Sequence, residues 1–200
     1  MKPTIPYTRL EAVSGRPPAE WITLVHDSGA GGGTADSIAD WLHREHGLSP
    51  AWSEVTAAAY LHQHKGIPPV GLTAKTGFQI GVRRTAAASP QVLWELLTSS
   101  RALPLWLGTV DVLPLTPRAP YTTREGIGGE IRVVHPPSQL RMTYCRADWP
   151  QPSTLQVRLL AAAGGRTTLS FHQENLPDLF LREEMRLHWD QAAGGLTALL

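Results

Sequence analysis

Apolar positions near the C-terminal end of the chain recur with the period of a helix: Leu181, Met185, Trp189, Ala192, Ala193, Leu196 and Leu200. Arg182, Arg186, Asp190 and Gln191 mark the other side. Asp178, just after Pro177, is placed to cap the start, and Glu183 and Glu184 follow near the positive end of the helix dipole. The pattern over residues 175–200 predicts a helix about 30 Å long, enough to cross a small domain. A Met–Trp stripe of that length needs a broad apolar partner, and the preceding chain supplies one. Phe78, Ile80 and Val82 alternate with polar residues and predict a first strand. Ser89-Pro90 opens a helix with Val92, Leu93, Trp94, Leu96 and Leu97 apolar, and residues 101–107 predict a shorter one containing Trp106. Further strands are expected at 110–115, 121–125, 130–134, 139–146, 155–159 and 167–173. Leu140, Met142 and Tyr144 share a face, as do Leu169 and Phe171, and Gly164-Gly165 reads as a hairpin turn. The predicted order is strand, two helices, a meander of six strands and a long helix. That is an α+β domain with a curved antiparallel sheet around its C-terminal helix.

The front of the chain has a different rhythm. Residues 1–18 are rich in proline and polar groups and predict a flexible tail. Three short helices follow within residues 19–66. The first carries Trp21, Ile22, Leu24 and Val25. The second spans 35–46, is capped by Thr34 and stopped by Gly47, and places Ile38, Ala39, Trp41 and Leu42 on its apolar side. The third opens at Ser49-Pro50 and runs through Trp52, Val55, Ala59 and Tyr60 to Lys65-Gly66. A three-helix unit of about fifty residues is marginal alone, so docking on the second domain is one use for its tryptophans. Residues 67–77 hold prolines and glycines without periodicity and read as a linker; the domain boundary is expected there, with the second domain at 78–200.

Composition narrows the classes. Apolar content of 42% in 200 residues supports a packed core. The net charge is +1 with no basic block, which argues against a nucleic-acid surface. The single cysteine, Cys145, excludes an intramolecular disulfide and fits a reducing compartment. The first ten residues have no apolar run of signal-peptide length and nothing reaches the roughly twenty apolar residues of a membrane span, so a soluble cytoplasmic protein is expected.

The element order and the residues that decorate it resemble the START-like fold, also called SRPBCC or helix-grip. The resembling pieces are Ser-Pro-Gln-Val-Leu-Trp-Glu-Leu-Leu-Thr (89–98), Leu-Trp-Leu-Gly (105–108), Gly-Gly-Glu-Ile-Arg-Val-Val (128–134), Leu-Arg-Met-Thr-Tyr (140–144) and Ser-Phe-His-Gln-Glu-Asn-Leu-Pro (170–177). The terminal Trp-Asp-Gln-Ala with its trailing leucines fits as well. Within the fold, the chain looks most like the branch named after the activator of the heat-shock-protein-90 ATPase. The front residues Trp-Leu-His-Arg-Glu-His-Gly-Leu-Ser (41–49), with Trp52 and Tyr60, resemble a small helical domain of unknown function fused ahead of this branch. The resemblance implies a deep cavity between the long helix and the sheet, used in fold relatives for lipids, polyketides and other apolar molecules. It also implies, through the branch name, stimulation of a chaperone ATPase. The chain departs from the eukaryotic activators in its helical front domain and in lacking their Asn- and Trp-rich chaperone-contacting motif.

Candidate chemistry is sparse. Ser28 to Gly33 is glycine-rich but lacks a Gly-Lys-Ser/Thr ending, so it reads as a loop. His43 and His46 sit three apart on a helix without a third ligand, and His26-Asp27-Ser28 are neighbours in sequence, which seldom form a triad. No metal or cofactor is expected. The candidate ligand-binding residues are Trp106, Met142, Tyr144, Trp149, His172, Met185 and Trp189, because aromatic and Met side chains suit adaptable apolar walls and one or two polar groups orient a ligand. Arg132 and Glu130 are weaker polar candidates, since charged strand residues usually face water. The leading expectation is non-catalytic binding of a small apolar molecule between helix and sheet, against the plain alternative that the stripe is simply core. A cochaperone-type module stimulating a chaperone ATPase is the alternative partner reading. A cyclase- or hydrolase-type enzyme using His172 or Tyr144 as acid/base is the second alternative. Oligomeric state is left open.

Overall fold

The computed structural model describes residues 9–200. Its front part contains α1 (Leu10–Ser14), α2 (Pro18–Asp27), α3 (Ala35–His46) and α4 (Pro50–Lys65). The local signals that start and stop α3 are used as read: Thr34 Oγ1 accepts from the Ser37 amide, and Gly47 takes φ 67°, a left-handed value that closes the helix C-terminus. Pro50 stands in the first turn of α4, although the Ser49 hydroxyl makes no cap bond. The tail expected over residues 1–18 lies partly outside the described residues, and its remainder corrects the expectation. Residues 10–14 are helical and Leu10 is buried, because that side chain has the front core to pack against.

The second part is β1 (Phe78–Ala86), α5 (Pro90–Leu97), α6 (Leu103–Trp106), β2 (Pro120–Thr122), β3 (Gly128–His135), β4 (Gln139–Tyr144), β5 (Ser153–Ala162), β6 (Arg166–Leu176) and α7 (Leu179–Thr197). The strands form one six-stranded sheet in the order β1-β6-β5-β4-β3-β2, and each pair of neighbours is antiparallel. Register shifts at Phe78/Ile80 and Ile131/Val133 interrupt two ladders, a device that bends a sheet. The curved sheet, the long C-terminal helix and the front helices make the helix-grip architecture. Asp178 caps α7 through a 2.7 Å bond from the Leu181 amide, and the nineteen residues of α7 extend about 28 Å. Helix α4 lies against α7 on one side while β1 and β6 lie against it on the other.

One expected strand is absent. Residues 110–115 are irregular, so the meander has five strands after α6. Pro114 and Pro117 withhold amide donors, and the segment is instead pinned at single points. The Thr109 amide and hydroxyl donate to the Glu125 carboxylate at 2.8 and 2.7 Å, and the Arg118 amide donates to the Ile131 carbonyl at 2.7 Å. Leu113 is buried, while Val112 next to it is 77% exposed.

Candidate functional site

Register brings most of the expected residues to one place. Leu140, Val157 and Phe171 form one cross-strand row, and Met142, Leu155 and Gln173 the next. These rows face α7, whose Met185, Trp189, Ala192 and Ala193 are all buried. From the open end, α6 contributes Trp106. The Trp189 ring stacks on Phe171 with centroids 4.8 Å apart and planes 13° from parallel. Trp106 meets Phe171 at 6.0 Å, and Tyr144 meets Trp189 edge-on at 5.8 Å. Trp106, Met142, Tyr144, Met185 and Trp189 all have 0% exposure.

The polar atoms of this interior are consumed internally. The Trp189 indole N–H donates to Gln173 Oε1 at 2.7 Å, Gln173 Nε2 donates to Ser153 Oγ at 2.8 Å, and Ser153 Oγ donates to the Tyr144 carbonyl at 2.8 Å. The Trp106 indole N–H donates to the Leu97 carbonyl at 3.0 Å. His188 Nε2 donates to the Trp106 carbonyl at 3.0 Å, and burial, only partly offset by that bond and reinforced by Arg146, pushes its pKa down to about 4. A neutral imidazole therefore ties α7 to α6. The volume expected to be open is occupied by rings, and Met142, Tyr144, Met185 and Trp189 line none of the five clefts described on the surface.

Two expected residues stand elsewhere. His172 is on the far face of the sheet, opposite Gly81 and Gln156, with Nδ1 3.4 Å from Glu174. Strand alternation puts it there, since Phe171 and Gln173 on either side point inward. Trp149 sits at the rim, half-buried, 5.6 Å from the Tyr144 ring and lining two clefts of about 460 and 260 Å³. Arg132 and Glu130 pair with each other at 2.9 Å on the surface. Sequence reasoning missed the rim's charged cluster. Buried Arg146 lies over the Trp149 ring at 4.9 Å and bonds to buried Glu184 and to Asp148, and Arg9 joins Glu184 at 3.4 Å. Burial works against the Arg146 charge, but its bonds to Asp148 and Glu184 outweigh that and raise its pKa. Burial, with Asp148 nearby, pushes the Cys145 thiol up, away from nucleophilic reactivity. No group of three or more His, Cys, Asp or Glu suited to a metal occurs among the described residues. His43 instead sets Nδ1 2.7 Å from the Leu48 carbonyl. No helix among the described residues is long and apolar enough to cross a membrane.

Comparison with known proteins follows the same outline. The family model described as "Activator of Hsp90 ATPase homolog 1-like protein" matches residues 87–200. Among solved structures, protein MLL2253 from Mesorhizobium loti is similar at 21% identity and a TM-score of 0.53, covering 60% of this chain and 95% of that one. CalU16 from Micromonospora echinospora is similar at 19% identity and a TM-score of 0.53, covering 64% and 79%. The Aha1 dimer from Colwellia psychrerythraea is similar at 16% identity and a TM-score of 0.50, covering 61% and 95%. At these identities the likeness is one of fold. No curated protein matches the chain.

Proposed function

The chain belongs to the Activator of Hsp90 ATPase homolog 1-like family, and on that premise we propose that it is a binding module that meets a chaperone ATPase on the outside of the grip. The observation that carries this reading is the filled interior: the Trp189–Phe171 stack and its neighbours occupy the space that a small apolar guest would need. The outside offers apolar contact. Leu105 on α6 is exposed at 39%, and the connection from α6 to β2 exposes Val112 at 77% and Leu115 at 37% on either side of buried Leu113. Long irregular connections anchored on a rigid scaffold are common carriers of binding residues, and exposed aliphatics on them mark contact surfaces.

The test is the ATPase rate of the host's Hsp90-type chaperone, measured with increasing amounts of the full chain and paired with direct capture. A saturable rise in rate is expected. Val112→Asp should abolish the rise without moving the melting point, since the side chain is exposed. An unchanged rate with no capture by a folded chain removes the proposal. A panel of lipids and aromatics that raised the melting point of the unaltered chain would restore the internal apolar guest in its place.

A further inference from the structure

The site that the grip lacks is present at the seam behind it. A cleft of about 610 Å³ opens where the front helices meet α7, within the usual size range of small-molecule sites. Its apolar wall is Trp21 from α2, Leu48 and Trp52 around the start of α4, and Leu187 from α7. Its polar members include Arg16 and His46, and no acidic residue lines it.

The placement of these groups is fixed before anything binds. The Trp21 indole N–H donates to Ser14 Oγ at 3.0 Å, and that hydroxyl donates to the Leu10 carbonyl at 2.7 Å, so the ring is held by the end of α1. The Arg16 guanidinium lies 5.1 Å from the centre of the Trp21 ring. Among the described residues its side chain makes no ion pair or hydrogen bond. The N–H donors along the edge of the guanidinium are therefore left for an incoming acceptor. His46 stands edge-on to Trp21 at 5.9 Å and to Trp41 at 4.5 Å, which fixes the second polar group as well.

We propose that this seam is a binding site for a small anion with a flat apolar body, such as an aromatic carboxylate or sulfonate. The body lies along Trp21, Trp52 and Leu187, and the charged end meets Arg16. An arginine stacked on an indole presents a planar fork that suits two acceptor oxygens better than a point charge would. A ligand here touches the front helices and α7 at once, so its binding reports on their docking. The inference is independent of the chaperone reading, which concerns the connection between α6 and β2.

The experiment is titration of the full chain with 2-naphthoate and with the neutral 2-naphthalenemethanol, by calorimetry and by indole N–H chemical shifts. Naphthoate is expected to saturate with a dissociation constant below about 1 mM, and the neutral analogue to bind roughly tenfold more weakly. The Trp21 and Trp52 signals should move while those of Trp106 and Trp189 stay. Arg16→Gln should erase the preference for the anion and leave the neutral affinity intact, while Leu187→Glu should weaken both. Absence of saturable naphthoate binding to a chain with native melting behaviour overturns the proposal, as does an anion preference that survives Arg16→Gln. Shifts confined to Trp106 and Trp189 would also overturn it, by placing the guest inside the grip.

Discussion

Truncating Trp189 to alanine asks whether the ring is part of a solid interior or the wall of a hole. The side chain has no exposed surface, stacks on Phe171 at 4.8 Å and bonds to Gln173 at 2.7 Å. Removing a buried tryptophan from a packed core costs about 3–5 kcal/mol through lost transfer energy and the cavity left behind. The unpaired Gln173 oxygen adds on the order of 1–3 kcal/mol if no water reaches it. Against a total stability of roughly 5–15 kcal/mol, the variant should stand near the edge of folding. Trp189→Phe keeps a six-membered ring but loses the pyrrole part with its N–H, so a drop of about 1–3 kcal/mol is expected. Urea unfolding followed by far-ultraviolet circular dichroism measures both. Indole added at tenfold over its dissociation constant should return roughly 1.4 kcal/mol to the alanine variant and nothing to the parent chain. An alanine variant that lost less than about 1 kcal/mol would refute the reasoning, because it would mean that Trp189 already bordered open space.

Other predictions concern the charged and close-packed points around the interior. His188 is held neutral with a pKa near 4, against an ordinary 6.5, so the unfolded chain takes up a proton that the folded chain refuses between those values. Its contribution is complete above about pH 6.5 and is lost at about 1.4 kcal/mol per unit as pH falls toward 4. His188→Gln should flatten that slope in the difference between urea midpoints of variant and parent. Arg146→Met leaves buried Glu184 with only the longer contact to half-exposed Arg9 and should cost up to about 3–5 kcal/mol, whereas adding Glu184→Leu should recover most of it. Arg9→Ala, at a side chain 46% exposed, should cost less than about 1 kcal/mol in the same denaturation assay. Gly129→Ala would set a Cβ 2.0 Å from the Thr143 carbonyl oxygen, a clash with backbone, and should lower the melting point well beyond an ordinary surface change.

Where the sequence carried its own punctuation, it was readable. Thr34 and Gly47 bound α3, and Ser49-Pro50 and Gly66 bound α4, because capping is a contest settled within a few residues. The α7 stripe and the inward faces of β4 and β6 followed from period alone. The failed strand at 110–115 shows the limit: apolar β-formers were present, but whether a segment pairs depends on partners that its own prolines and the Thr109–Glu125 contact decide. Two misses had a usable signal. With Phe171 assigned inward, parity sends His172 outward and Gln173 inward, and a buried amide beside a tryptophan is an obvious partner for the indole N–H. Glu184 and His188, four apart, flank the Met185 and Trp189 positions and share the buried side of α7. The Arg146–Glu184 pair had none, since its members lie 38 residues apart and only the fold joins them. The filled interior was likewise beyond the pattern, because the same Met–Trp stripe serves a cavity wall or a solid core, and only side-chain volumes in place distinguish them.

Xenon-pressurised crystals of the unaltered chain test the closed grip most directly, since xenon enters apolar voids without needing to be the right ligand. No xenon is expected between α7 and the sheet; an ordered xenon atom among Met142, Tyr144 and Trp189 would contradict the account and return the interior to an apolar guest.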